Sequence, residues 1–164
     1  MALKTNARTP PLTPAGRLEE ARLQMVMGYQ LAQASLVTDT IFRREVGEGL
    51  KLSPVEYTVL TLIAENPAGT PARLARALAV TPPHISAIVE RLVGRGLVQR
   101  AASDQDRRAQ VLTVTARGAD LVRKATNRIV QAERAALELM LTHGEQAILA
   151  ELLHKVACAR QHSA

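Results

Sequence analysis

The residues best suited to chemistry lie in one polar run, Ser103-Asp104-Gln105-Asp106-Arg107-Arg108. Two adjacent guanidinium groups are permanently charged, planar donors of the kind that settle into the minor groove of DNA, where negative potential is concentrated. Asp106 is placed to pair with one of them and fix the loop. An isolated Asp-Arg-Arg run is better explained as a solvated turn, so the surrounding elements must decide. Catalytic alternatives lack their parts: there is no His-Glu-x-x-His pair for zinc, no glycine-rich phosphate loop and no Gly-x-Ser-x-Gly elbow. His143, His154 and His162 fall on or beyond the last expected helix, in no catalytic arrangement. The expectation is a chain that is no enzyme and takes neither a cofactor nor a metal.

The elements around the run supply that context. Leu97-Val98-Gln99-Arg100 and Val111-Leu112-Thr113-Val114-Thr115 read as strands joined by the polar residues 102–110, a hairpin with a charged tip. Ahead of it, Thr70 can cap a helix reaching Leu78, with Leu74, Ala75 and Leu78 inward, and Ala79-Val80 makes a turn. Thr81 then caps a helix with Pro82 at its first position and a buried stripe of Ile85, Ile88, Val89 and Leu92, ending near Arg95-Gly96. Two short helices across a tight turn form a helix-turn-helix, and a hairpin directly after the second builds a winged helix.

Longer helices flank this unit. Leu23, Val26, Met27, Leu31, Ala34, Val37 and Ile41 recur at helical spacing over residues 16–46, and Gly47 to Gly49 ends that helix. Ser53-Pro54-Val55-Glu56 is a capping box that starts another, running to about Glu65. Thr115 can cap a long helix carrying Leu121, Val122, Ile129, Val130, Leu137 and Met140, despite an early Gly118. Thr142-His143-Gly144-Glu145 is a second capping box, opening a last helix with Ile148, Leu149, Leu152, Leu153 and Val156 inward. Pro10, Pro11 and Pro14 make residues 1–14 an arm, expected to be partly disordered.

Composition agrees with a single helical architecture. The 164 residues are 47% hydrophobic but only 2% aromatic, so the core must be built from Leu, Val, Ile and Ala. Lys and Arg number 21 against 15 acidic residues, a net charge of +6 that suits a polyanionic partner. Cys158 is the one cysteine, so no intrachain disulfide can form. With neither a secretory leader nor a membrane-length apolar run, the expected location is the cytoplasm, away from any membrane.

Several motifs together resemble the MarR family of transcriptional regulators: Leu92, Arg95-Gly96-Leu97-Val98-Gln99-Arg100, Asp106-Arg107-Arg108-Ala109, Val111-Leu112-Thr113-Val114-Thr115 and Gly118. The resemblance extends over residues 16–160. It implies a mainly α fold with a small β-hairpin wing, in which the N- and C-terminal helices form a dimerisation region. Residues 1–15 would be the arm, 16–50 and 120–164 the dimerisation helices, and 51–119 the winged helix-turn-helix. The implied function is a homodimeric repressor on a pseudo-palindromic double-stranded operator, released by a small anionic or aromatic effector. The competing reading is a winged-helix protein-interaction module without specific DNA binding.

The resemblance also implies which residues act. The helix from Thr81 to Val93 looks like the recognition helix, with Pro82, Pro83, His84, Ala87 and Arg91 outward and the hydroxyls of Thr81 and Ser86 available to phosphate. Many relatives carry Arg where Ala87 stands, which removes a bidentate guanine reader and leaves contact with a thymine methyl. Arg73 and Arg76 on the preceding helix are either phosphate contacts or a solvated face. Tyr29 and Tyr57 either line an effector cleft or belong to the core, and Arg43 and Arg44 either neutralise an acidic effector or end a helix in solvent. Oxidant-sensing relatives place a cysteine near the start of the first helix, so Cys158 disfavours peroxide sensing here. His154 stands four residues before it, spaced to activate the thiol or to form half a metal site, and the competing reading is an inert thiol buried between subunits.

Overall fold

A computed structural model describes residues 12–13, 15–67, 69–102 and 110–159 of the chain. The chain separates into two compact units, Met1–Thr40 and Ile41–Ala164. In the first, Leu12 pairs with Glu19 in an isolated bridge, and turns lead to the helix α1, Met27–Phe42. The spacing predicts helix over residues 16–26, but Gly16 and Arg17 adopt left-handed backbone (φ +75° and +49°), residues 18–26 form turns and irregular backbone, and the helix begins only at Met27. Leu23 and Val26 therefore fall before the helix begins.

In the second unit α1 gives way to a π-helical turn, Arg43–Gly47, and then to the short α2, Glu48–Leu50. Lys51, left-handed at φ +54°, stops it. The next helix, α3 (Pro54–Glu65), starts as the sequence dictates: the Ser53 hydroxyl accepts from the Glu56 amide while the Glu56 carboxylate accepts from the Ser53 amide. α4 (Pro71–Leu78) is capped by the Thr70 side chain and ends on a left-handed Ala79. α5 (Pro82–Gly94) follows after the turn. Strands β1 (Val98–Ala102) and β2 (Gln110–Val114) pair antiparallel, Val98 opposite Val114 and Arg100 opposite Leu112. α6 (Ala116–Leu137) and α7 (His143–Cys158) complete the chain, α7 behind the expected Thr142–Glu145 capping box. Among the described residues no helix is long and apolar enough to cross a membrane.

The mainly helical fold with a two-stranded wing is thus the one the residue pattern implied. Its core is assembled from every element between the π turn and α6. Val46, Val59, Leu60, Ile85, Ile88, Val89, Leu92 and Leu112 are fully enclosed, and Leu74, Leu97, Val122 and Ala125 pack around them. The wing is rooted in this core at two places. The Leu112 amide donates to the Gly69 carbonyl at 3.0 Å, joining β2 to the turn before α4. On the other side the Thr115 amide donates to the Leu97 carbonyl at 3.0 Å, and the Thr115 hydroxyl, which donates to the Gly96 carbonyl at 2.8 Å, caps α6 by accepting from the Gly118 amide.

That arrangement explains the early glycine of α6. A Cβ on Gly118 would stand 2.1 Å from the Leu97 carbonyl oxygen and 2.7 Å from a Val114 methyl, so the helix passes the strand root only without a side chain. One expectation is not met within the single chain. Ile148, Leu149, Leu152, Leu153 and Val156 were read as inward residues of the last helix, yet none of α7 is buried and these side chains are 41–58% exposed. Among the described residues nothing buries them. Met140, expected on the α6 helix, lies beyond its end and is exposed.

Candidate nucleic-acid interface

The helix-turn-helix presents its outer face through a strict division of labour along α5. Ile85, Ile88, Val89 and Leu92 are completely buried, whereas Pro82, Pro83, His84, Ser86, Ala87 and Arg91 are exposed. Burial of the stripe fixes the rotation of the helix about its axis, so the polar side must face solvent. Arg73 and Arg76 are likewise exposed on α4, whose inner side is held by Leu74 and Ala75.

The start of α5 departs from an ordinary capped helix. Thr81 is the N-cap by backbone geometry (ψ 146°), but its hydroxyl makes no capping bond. Pro82 and Pro83 occupy the first turn and carry no N–H, so fewer orphan donors need satisfying there, and the first amide, on His84, bonds to the Thr81 carbonyl at 3.0 Å. The expected side-chain cap at Thr81 is therefore replaced by two prolines with preset φ. The consequence for an anion is specific: it would meet the helix dipole and the Thr81 hydroxyl but not the usual fan of main-chain N–H groups.

Ion pairs tie α5 to its neighbours. Glu90 pairs with Arg100 on β1, linking the helix to the wing. Arg91 Nε donates to Glu56 Oε1 at 3.0 Å, and this carboxylate also accepts, through Oε2, from the Ser53 amide and hydroxyl at 3.0 Å each. Burial pushes the Glu56 carboxyl up, but the Ser53 amide and the Arg91 guanidinium outweigh it and hold the group below its ordinary value. Arg95, the C-cap of α5, donates from Nη1 to the Lys51 carbonyl at 2.7 Å and from Nη2 to the Leu50 carbonyl at 3.1 Å. Sequence reasoning missed Glu56, Glu90, Arg95 and Arg100 as partners of this helix, and read Arg91 as a groove contact where the fold gives it an intrachain partner. The wing-tip candidates Asp106, Arg107 and Arg108 lie outside the described residues.

The effector candidates have other engagements. Tyr57 is half-buried, its ring 5.7 Å from that of Phe42 and its hydroxyl 2.8 Å from Thr126 Oγ1 on α6. Tyr29, in the first unit, donates its hydroxyl to Glu20 at 2.5 Å. Arg43 and Arg44 are exposed on the π turn, where Arg44 pairs with Glu45 at 2.8 Å. A shallow cleft of about 150 Å³ lies between α3 and α4, lined by Leu62, Ile63, Asn66, Arg73, Leu74 and Ala77. That is well under the ~300–1,000 Å³ of a site for a drug-sized ligand. On α7, His154 Nε2 approaches Cys158 Sγ at 3.6 Å as the spacing implied, and the thiol is exposed within the single chain.

Comparison with known proteins places this geometry. Residues 52–109, from just before α3 to just before β2, match the model of the MarR family. The chain is 31% identical over 133 residues to the HTH-type transcriptional repressor Rv2887 of Mycobacterium tuberculosis, covering 79% of this chain and 92% of that protein. It is 29% identical over 161 residues to the HTH-type transcriptional repressor NicR of Pseudomonas putida, covering 95% of each. Among solved structures, the transcriptional repressor CouR bound to a 23-mer DNA duplex superimposes with a TM-score of 0.77 at 28% identity, over 85% of this chain and 98% of that one.

Proposed function

The chain belongs to the MarR family of DNA-binding transcriptional regulators, and on that premise we propose that it is a homodimeric repressor that binds a pseudo-palindromic operator and is released by a small anionic or aromatic effector. The observation that carries the reading is the split face of α5. A completely buried stripe locks the helix, and His84, Ser86 and Ala87 stand exposed beside Thr81 on the side left free. In this reading those residues meet base edges and phosphates in the major groove, Arg73 and Arg76 meet the backbone, and Arg107 and Arg108 at the wing tip meet the adjacent minor groove. Ala87 offers a methyl to thymine rather than a fork to guanine.

Two-fold symmetry supplies the rest of the mechanism. Two recognition helices must reach major grooves about one helical turn, roughly 34–36 Å, apart, so the separation between subunits controls affinity. Residues 16–50 and 120–164 serve as the dimerisation region, with the apolar side of α7 as part of the shared surface. An effector that binds better to a dimer with the wrong separation releases the operator by shifting the population, and it must have that differential affinity to act at all. Tyr57, Tyr29, Arg43 and Arg44 are the residues offered to it, and the protein acts in the cytoplasm.

An electrophoretic mobility shift with the DNA upstream of the protein's own gene tests this. The expected result is a salt-sensitive, sequence-selective complex that Arg107→Ala with Arg108→Ala weakens at least tenfold while the mass in solution stays unchanged. A chain that forms no selective complex at low salt is an interaction module instead.

A further inference from the structure

Residues 50–56 form a strap that leads from the π turn and α2 into the helix-turn-helix, and two arginines of α5 hold it. Arg91 and Arg95 are four residues apart and so share one side of the helix. Arg91 grips the far end of the strap through Glu56 at 3.0 Å, and Arg95 grips the near end through the Lys51 and Leu50 carbonyls at 2.7 and 3.1 Å. Between these grips Leu52 is buried to 2% exposure, and the Ser53–Glu56 capping box shares its carboxylate with Arg91. Near its start the strap passes through Lys51, whose left-handed backbone is unfavourable for a side chain with a Cβ and persists only where surrounding contacts determine it. Arg95 provides such a contact on that residue's own carbonyl.

We propose that Arg91 and Arg95 are positioning residues, which fasten the C-terminal half of α5 to the strap 50–56 and so set the pitch at which that helix meets the DNA groove. The inference rests on the reading of α5 as the DNA-contacting helix. The competing role for Arg91 is a phosphate contact, and the two differ in sign. A phosphate contact would be strengthened by removing the Glu56 charge, because the carboxylate competes for the guanidinium. A positioning role is weakened by removing either partner, and removing both adds nothing further.

The test uses the full chain with Glu56→Gln, Arg91→Gln, the double variant and Arg95→Lys. Gln at 56 still completes a capping box, and Lys at 95 keeps the charge while losing the forked pair of donors. Without DNA, hydrogen exchange of the α5 amides is expected to quicken in its C-terminal half in each variant, no more in the double than in the singles. With DNA, the probe is the duplex most enriched by selection from a random pool, compared with the unselected pool. Each variant is expected to lose about fivefold on the selected duplex, with the unselected pool and the salt slope unchanged. Tighter binding by Glu56→Gln, or a salt slope reduced by about one in Arg91→Gln, assigns Arg91 to a phosphate and overturns the proposal. If the natural sequence selects no duplex, the operator reading fails by itself. Exchange then decides this inference, and unchanged α5 exchange overturns it.

Discussion

The core of the winged domain and the last helix are built from the same residue types and treat them in opposite ways. Val59, Leu60, Ile85, Ile88, Val89 and Leu92 are fully enclosed, whereas Ile148, Leu152 and Val156 on α7 are 58%, 52% and 57% exposed. Both sets follow helical spacing, so periodicity does not separate them. What separates them is the supply of partners: α3, α5, the wing root and α6 converge on one point, while among the described residues α7 has no covering layer. In the proposed homodimer this apolar side of α7 is half of an interface, and the hydrophobic effect acts on it only when the second surface arrives.

Substitutions can break or sharpen that contrast. The largest expected effect is in the enclosed region, where Leu92→Ala should lower unfolding free energy by about 2–5 kcal/mol through lost burial and a residual cavity. Urea titration at protein concentrations low enough to keep the chain monomeric measures it. Leu152→Ala under the same conditions should stay within about 0.5 kcal/mol, and a loss as large as that of Leu92→Ala would end the comparison. Leu149→Glu with Leu153→Glu moves the test to the open side: the dimer should dissociate to a chain of half the mass by sedimentation, with the helical circular dichroism signal retained. Next comes Thr142→Ala, which removes the α7 N-cap and should cost about 1 kcal/mol in thermal unfolding.

The smallest effect is one of pH. Hydrogen bonds to the Thr142 hydroxyl and amide hold the Glu145 carboxyl below its ordinary value. A carboxyl with a depressed folded-state value contributes stability above the ordinary carboxylate range and loses it as pH falls through that depressed value. Local exchange at the α7 N-terminus should therefore quicken on acidification, and Thr142→Ala should flatten the dependence.

What the sequence disclosed follows from the range of the forces involved. Both capping boxes were legible because each needs only four consecutive residues, and both of their bonds form at Ser53–Glu56 and at Thr142–Glu145. The helix α5 was legible for the same reason, its prolines and apolar stripe setting start and rotation together. The start of α1 was not, because the apolar period extends back through Leu23 and Val26, where the backbone forms turns rather than helix. Least legible were the partners of Arg91 and Arg95, which lie 35 and 44–45 residues away in the chain. Arg91 was legible as an outward residue of the helix, but no local pattern announces its partner Glu56. The burial expected of α7 failed for a related reason: spacing identifies which side is apolar, and only tertiary or quaternary structure says what covers it.

The glycine at the root of the wing also constrains how this protein can diverge. Every base change at the first or second position of a glycine codon that yields another amino acid installs a Cβ, and at residue 118 that atom has a carbonyl oxygen 2.1 Å away. The obstacle is backbone, so no neighbouring side chain can be trimmed to make room. Residue 118 is thus shut to single-step substitution, while the exposed positions of α5 meet no such obstacle.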